Sequence, residues 1–241
     1  MNAYRPRAGR AETCPMGDMG AFRDAVTAWA AGGTGGASGT GGTGGTGGTG
    51  EAGEPAGAAW ELAGRLPVRA VVLLEGPSDV AAVNALAARR GRDLAAEGVC
   101  VLSMGGAMSV GRFTHILGPP GLGLRLTGLC DEAERGFYAR GLARAGAPEH
   151  EFFVCAADLE DELIRALGPA RVTELVGAEG DDRPLQTFLR QPAQRDRTAR
   201  QQLRRFLGTK KGRKIHYGRV LVEALDPDRV PAPLDDLLAS L

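Results

Sequence analysis

Histidine and cysteine are scarce in this chain, and neither is spaced for chemistry. His115, His150 and His216 lie far apart in the sequence, which gives a histidine-based triad little support. The cysteines are Cys14, Cys100, Cys130 and Cys155, with no Cys-x-x-Cys pair and no histidine at zinc-finger spacing, so a structural zinc site is not expected. Cys100, Cys130 and Cys155 fall in or just after apolar runs, where a free thiol acts as a small buried apolar group. Any metal chemistry would therefore belong to oxygen ligands. No apolar stretch approaches the roughly eighteen residues needed to cross a bilayer, and the N-terminus lacks the apolar centre of a signal peptide. The expectation is a cytoplasmic protein with no membrane partner. Over 241 residues the formal net charge is zero, so no global field announces a nucleic-acid partner. Lysine is rarest among the charged residues, with only Lys210, Lys211 and Lys214.

The sequence is organised around Val71-Val72-Leu73-Leu74-Glu75-Gly76-Pro77-Ser78-Asp79. Four large apolar residues in succession read as a strand buried on both faces, the pattern of a parallel sheet. Gly76 turns the chain, and Ser78 or Asp79 can cap the helix that follows. Glu75 then stands at the carboxyl end of a strand, where open α/β sheets bind ligands, and Asp79 shares its opening. A second run, Leu124 to Cys130, ends in Asp131-Glu132-Ala133-Glu134, and between the two Val99-Cys100-Val101-Leu102 leads into Gly105-Gly106.

Along the chain, Met1 to Ala21 reads as loose, and Phe22, Ala25, Val26 and Trp29 as a short amphipathic helix. Gly32 to Gly53 is nearly all glycine and threonine and reads as a flexible linker, because it cannot bury enough apolar surface to offset its ordering entropy. Trp60, Leu62 and Leu66 suggest a brief helix. Strands are expected near 69–74, 99–103, 124–130 and 151–155, alternating with helices at 79–90, 107–117 and 132–145, an order that implies parallel strands. After Asp158 only helices are expected: 159–167, 170–177, 183–190, 197–207, 215–224 and 234–240. The fold class is thus α/β, a small four-stranded parallel sheet with a helical C-terminal extension. The expected divisions are 1–31 (N-terminal segment), 32–54 (linker), 55–157 (α/β domain) and 158–241 (extension).

From Arg190 to Arg219 eleven basic residues face a single acid, Asp196. Within this stretch Arg200, Arg204, Arg205, Arg213 and Lys214 are the candidate contacts to nucleic acid; the other reading is a solvated helix face. The acids also have two readings. Glu75, Asp79, Asp131 and Glu134 are either ordinary surface carboxylates and caps, or ligands that converge after the first and third strands of one sheet. Clustered carboxylates repel unless cations lie among them, and hard oxygen ligands select Mg2+ or Mn2+.

The set Leu-Leu-Glu-Gly-x-x-Asp, Met-Gly-Gly-Ala and Leu-Cys-Asp-x-x-Glu resembles the Toprim domain of primases, topoisomerases and OLD-type nucleases over about residues 68 to 165. The spacing to Asp79 and the run Asp158-Leu159-Glu160-Asp161-Glu162-Leu163 are most similar to the OLD type. The resemblance implies a metal-dependent endonuclease acting on DNA, with Glu75 in acid/base chemistry and metal binding and Asp131 as the first aspartate of an Asp-x-Asp pair. Ala133 stands where the second should be, so Glu132 or Glu134 would have to substitute. The alternative is a noncatalytic nucleic-acid or nucleotide-binding module. The family also implies a further acid after the fourth strand, for which Glu160 is the candidate, and a lysine of the extension, for which Lys210, Lys211 and Lys214 are candidates. Its usual partner is an ABC-type ATPase domain. Gly208-Thr209-Lys210-Lys211-Gly212-Arg213-Lys214 is no P-loop, since its glycines are too close and no strand precedes it, so an ATPase would be a separate partner. Oligomeric state is not legible.

Overall fold

The computed structural model describes residues 15–32, 53–148, 151–210 and 212–241. The residues before Pro15, nearly all of the glycine/threonine tract, Cys14, His150 and Lys211 lie outside the described residues, and the expectations that concern them stay there.

Four strands form one parallel sheet: β1 (Ala70–Leu74), β2 (Val99–Ser103), β3 (Arg125–Asp131) and β4 (Phe152–Cys155). Their order is β2-β1-β3-β4, with Leu73 level with Leu102 on one side and Gly128 on the other. All of β1 is buried, as its unbroken apolar run requires. The chain leaves β1 for β2 on one side and then returns to β3 on the other. The carboxyl ends of β1 and β3 thus flank a topological switch point, the place where open α/β sheets form a crevice.

Alternation along the strands sends side chains to two cores. Val72, Leu74, Val99, Val101 and Leu129 pack with α3 (Pro77–Arg89) and with the later helices α6 (Leu159–Leu167), α7 (Pro169–Ala178), α8 (Asp182–Leu189), α9 (Ala199–Leu207), α10 (Arg213–Glu223) and α11 (Ala232–Ser240). Val71, Leu73, Cys100, Leu102 and Cys130 pack instead with α1 (Pro15–Gly32), Ala59 of α2 (Gly53–Arg65), α4 (Val110–Leu117) and α5 (Arg135–Ala145). The N-terminal expectation needs correcting here: Pro15 to Ala21 is helical, and Met19, Phe22, Val26 and Ala30 are buried because this helix covers one face of the sheet. The three cysteines among the described residues are free and buried, and burial pushes the thiols of Cys100 and Cys130 up to about 12.

The helical extension shares its core with the sheet. α10 lies against α3 so closely that a Cβ at Gly218 would come within 2.5 Å of the Ser78 carbonyl oxygen. Arg89 clamps the far end of α10, donating to the carbonyls of Val222 at 2.6 Å and Leu225 at 2.7 Å. Arg92 donates to the Leu238 carbonyl at 2.6 Å, and Arg90 pairs with Asp235 of α11. Cations at helix C-termini satisfy carbonyls that the helix leaves without partners.

Candidate metal centre

Glu75 follows the last residue of β1, Asp131 closes β3, and Glu134 ends a 3-10 turn (132–134) that leads into α5. Because β1 and β3 are neighbours in register, all three emerge at one edge. One carboxylate oxygen from each lies within 4.8 Å of the others. Glu134, rather than Glu132, joins Glu75 and Asp131, since the tight turn after Asp131 brings it back toward Glu75; Glu132 is exposed and outside the group.

Among the described residues these three carboxylates make no ion pair with lysine or arginine. Burial, then Asp158, Glu75 and Glu134, pushes Asp131 up to about 7. Glu134 is raised by burial and by its hydrogen bond with Glu75, and its Oε2 is buried without a hydrogen-bond partner. Three hard oxygen donors at this separation, one of them orphaned, fit a divalent cation.

The remaining expected residues are distributed around this cluster. An open pocket of about 450 Å³ is lined by Glu75, Asp79, Asp131, Asp158, Glu160, Lys210, Lys214 and Ile215, among others. Asp79 does two things: it accepts a hydrogen bond from the Gly76 backbone N–H at 2.9 Å, tying the start of α3, and it faces the pocket. Burial and Glu160 push it up to about 7 against the pull of that N–H and of Lys214. Asp79 and Glu160 lie outside the three-carboxylate group, so the metal set expected from the sequence divides into a cluster and a neighbouring wall. Glu160 is buried and holds the Lys214 ammonium at 2.9 Å. Burial works against charge on Lys214, but Glu160 outweighs it and raises the pKa. Lys210 lines the same pocket and makes no ion pair among the described residues. The close contact of Gly218 with Ser78 is what brings the first turn of α10, with Lys214, against the pocket.

Asp158 is a wall residue that the candidate set omitted in favour of Glu160. Its carboxylate accepts from the Asp161 N–H at 2.8 Å, capping α6, and pairs with Arg204 at 2.6 Å. The signal was available, since Asp158 stands three residues past the end of β4, at the cap of the helix that follows.

The basic stretch needs a correction. Arg213 is almost enclosed, paired with Asp181 at 3.0 Å and stacked 4.1 Å from the Phe206 ring centroid, so it bridges helices and is not available to nucleic acid. Arg200 and Arg204 are exposed but paired with Asp161 and Asp158 at the start of α6. Arg205, Arg190, Arg195 and Lys210 are exposed and make no ion pair among the described residues.

A parallel α/β unit with carboxylates gathered at its switch point, and a lysine-bearing helical wall beside them, defines a class of α/β domains with an acidic pocket at the carboxyl edge of the sheet. Residues 68–132 match the family described as "Overcoming lysogenization defect protein-like, TOPRIM domain", and the chain carries an OLD-like Toprim domain there. Glu75, Asp79 and Asp131 fall inside the match, and Glu134, Glu160 and the lysines beyond it. The C-terminal region of the Burkholderia pseudomallei OLD protein is similar in structure, with a TM-score of 0.55 at 20% identity over 72% of this chain and 96% of that one. The C-terminal region of the Xanthomonas campestris pv. campestris OLD protein gives 0.56 at 24% identity over 71% and 93%. These likenesses carry the shared fold past residue 132 into the helical extension. No curated protein matches the sequence.

Proposed function

We propose that this chain is a divalent-metal-dependent nuclease acting on DNA, with Glu75, Asp131 and Glu134 as the metal-binding cluster. The observation that carries the reading is the trio itself: three carboxylate oxygens within 4.8 Å of one another, with no lysine or arginine paired to any of them among the described residues. A bound Mg2+ or Mn2+ would supply Lewis-acid stabilisation of phosphate oxygens and a more acidic water. The chain's own residues do the rest. Glu75, at the end of a buried strand, is held rigidly enough to accept a proton from an attacking water. Lys210, exposed and without an ion pair among the described residues, supplies a flexible ammonium to a phosphate oxygen. Lys214, fixed by Glu160, keeps positive charge on the pocket wall whether or not a substrate is present. Arg205, Arg190 and Arg195 extend a basic surface for a polyanion.

The noncatalytic reading rests on Ala133, and the position of Glu134 weakens it, because the turn restores a third oxygen donor. Supercoiled plasmid incubated with the protein and Mn2+ or Mg2+ tests the proposal. Nicked or linear product that vanishes with chelator and with Glu75→Gln is the expected result. Intact plasmid in both metals, with Mn2+ still bound, would favour the binding module.

A further inference from the structure

Two buried side-chain atoms that lack a hydrogen-bond partner among the described residues belong to one turn of helix at the carboxylate cluster: Glu134 Oε2 and the Tyr138 hydroxyl. Glu134 opens α5 with its own backbone already helical, at φ −106° and ψ −7°. Tyr138 is four residues on, so the two share a helical face with Cβ atoms about 5–6 Å apart. Side chains on a helix lean toward its N-terminus, which carries the Tyr138 ring back over the turn that holds Glu134. The phenol also responds to the site. Burial raises its pKa first, and the charges of Cys130, Glu75, Glu134 and Asp79 raise it further. Tyr138 therefore keeps its proton and is a hydrogen-bond donor.

The ring itself is fixed. Tyr138 is 1% exposed, and its ring centroid stands 5.4 Å from that of Phe152. One turn further, α5 closes on α4, where a Cβ at Gly141 would come within 3.2 Å of the Gly111 Cα. Phenylalanine would pack in this core equally well, and a hydroxyl withdrawn from water without a partner is destabilising. The hydroxyl thus needs an acceptor. Cys130 offers only a neutral thiol, a weak one, whereas Glu134 offers a carboxylate oxygen that is itself without a partner. We propose that Tyr138 is a positioning residue of the carboxylate cluster, its hydroxyl donating to the Glu134 carboxylate and fixing the direction in which that carboxylate meets a cation. This rests on the metal-centre reading of Glu75, Asp131 and Glu134. Donors that hold a ligating carboxylate from behind are worth about 10–100-fold in metal affinity.

Tyr138→Phe keeps the ring and removes only the hydroxyl. Mn2+ titrated calorimetrically into the full chain, freed of metal by chelator, should bind Tyr138→Phe about tenfold more weakly than the parent. The melting temperature of the variant in chelator should equal or exceed the parent's, because a buried hydroxyl without a partner has gone. Added to Glu134→Gln, Tyr138→Phe should cost less than about twofold more, since it acts through that carboxylate. Parental Mn2+ affinity in Tyr138→Phe, or a full further tenfold loss in the double variant, would overturn the inference; with Glu134→Gln still weakened, the metal centre would stand. A weaker affinity together with a lowered melting temperature would make Tyr138 a packing residue and would also overturn it. A parent that takes up no Mn2+ would overturn the metal centre and the inference together.

Discussion

Glu134 and Glu132 differ by two positions in one short turn, and only Glu134 meets Glu75 and Asp131. Glu134→Gln is expected to weaken Mn2+ binding about tenfold or more by calorimetry, and Glu132→Gln to leave it unchanged, because oxygen donors act only within the coordination shell. Equal effects would mean that the turn does not select between them. A second residue-scale prediction concerns stability. Hydrogen bonding from Arg213 holds Asp181 below the ordinary carboxylate value of 3.8. A lowered folded pKa means the pairing stabilises the fold above the unfolded pKa of about 4 and is lost as pH falls through the depressed value. Asp181→Asn leaves the enclosed Arg213 without its charge partner, at a cost of about 1–3 kcal/mol near neutral pH. The gap in melting temperature between parent and variant should close as pH drops below about 4. A gap that stays constant with pH would show that charge is not what the pairing contributes.

The placement of Lys214 depends on how α10 meets α3. At Gly218 the obstacle to a side chain is the Ser78 backbone, which cannot rotate away, so Gly218→Ala must push α10 outward. The expected cost is about 1–3 kcal/mol in urea unfolding, with reduced cleavage as Lys214 moves off the pocket. Gly177→Ala on α7, where a Cβ meets nothing within 4 Å, should be neutral or slightly stabilising. Similar outcomes at the two sites would contradict the close crossing. Legibility at this scale followed how local the information is. β1 and β3 were readable because each strand's burial is written in consecutive residues, and their terminal acids marked the site edge. The roles of Arg89, Arg200, Arg204 and Arg213 were not, because each pairs with a group that only tertiary packing brings near: Val222, Asp161, Asp158 and Asp181. In sequence Arg200, Arg204 and Arg213 looked like one basic face. Pro15 to Ala21 looked loose because the sheet face it covers is remote in the chain.

For the molecule as a whole, one core joins Val72 and Leu74 of β1 to Leu163, Phe206, Leu221 and Leu237 of the extension. The chain is therefore expected to melt in a single cooperative transition, and a fragment ending at residue 157 to show no cooperative melt, since the apolar face of its sheet would lie open to water. Two separate transitions, or a well-folded fragment, would instead make residues 158–241 an independent unit. The same shared core sets Lys210 and Lys214 in one pocket with Glu75 and Asp131, so carboxylate cluster and wall should fail together when the extension is lost. The most direct test of the central claim is anomalous diffraction from crystals of the full chain soaked in Mn2+. A manganese peak coordinated by Glu75, Asp131 and Glu134 is the expected result. Its absence there, or a peak held by Asp79 and Glu160 alone, would contradict it.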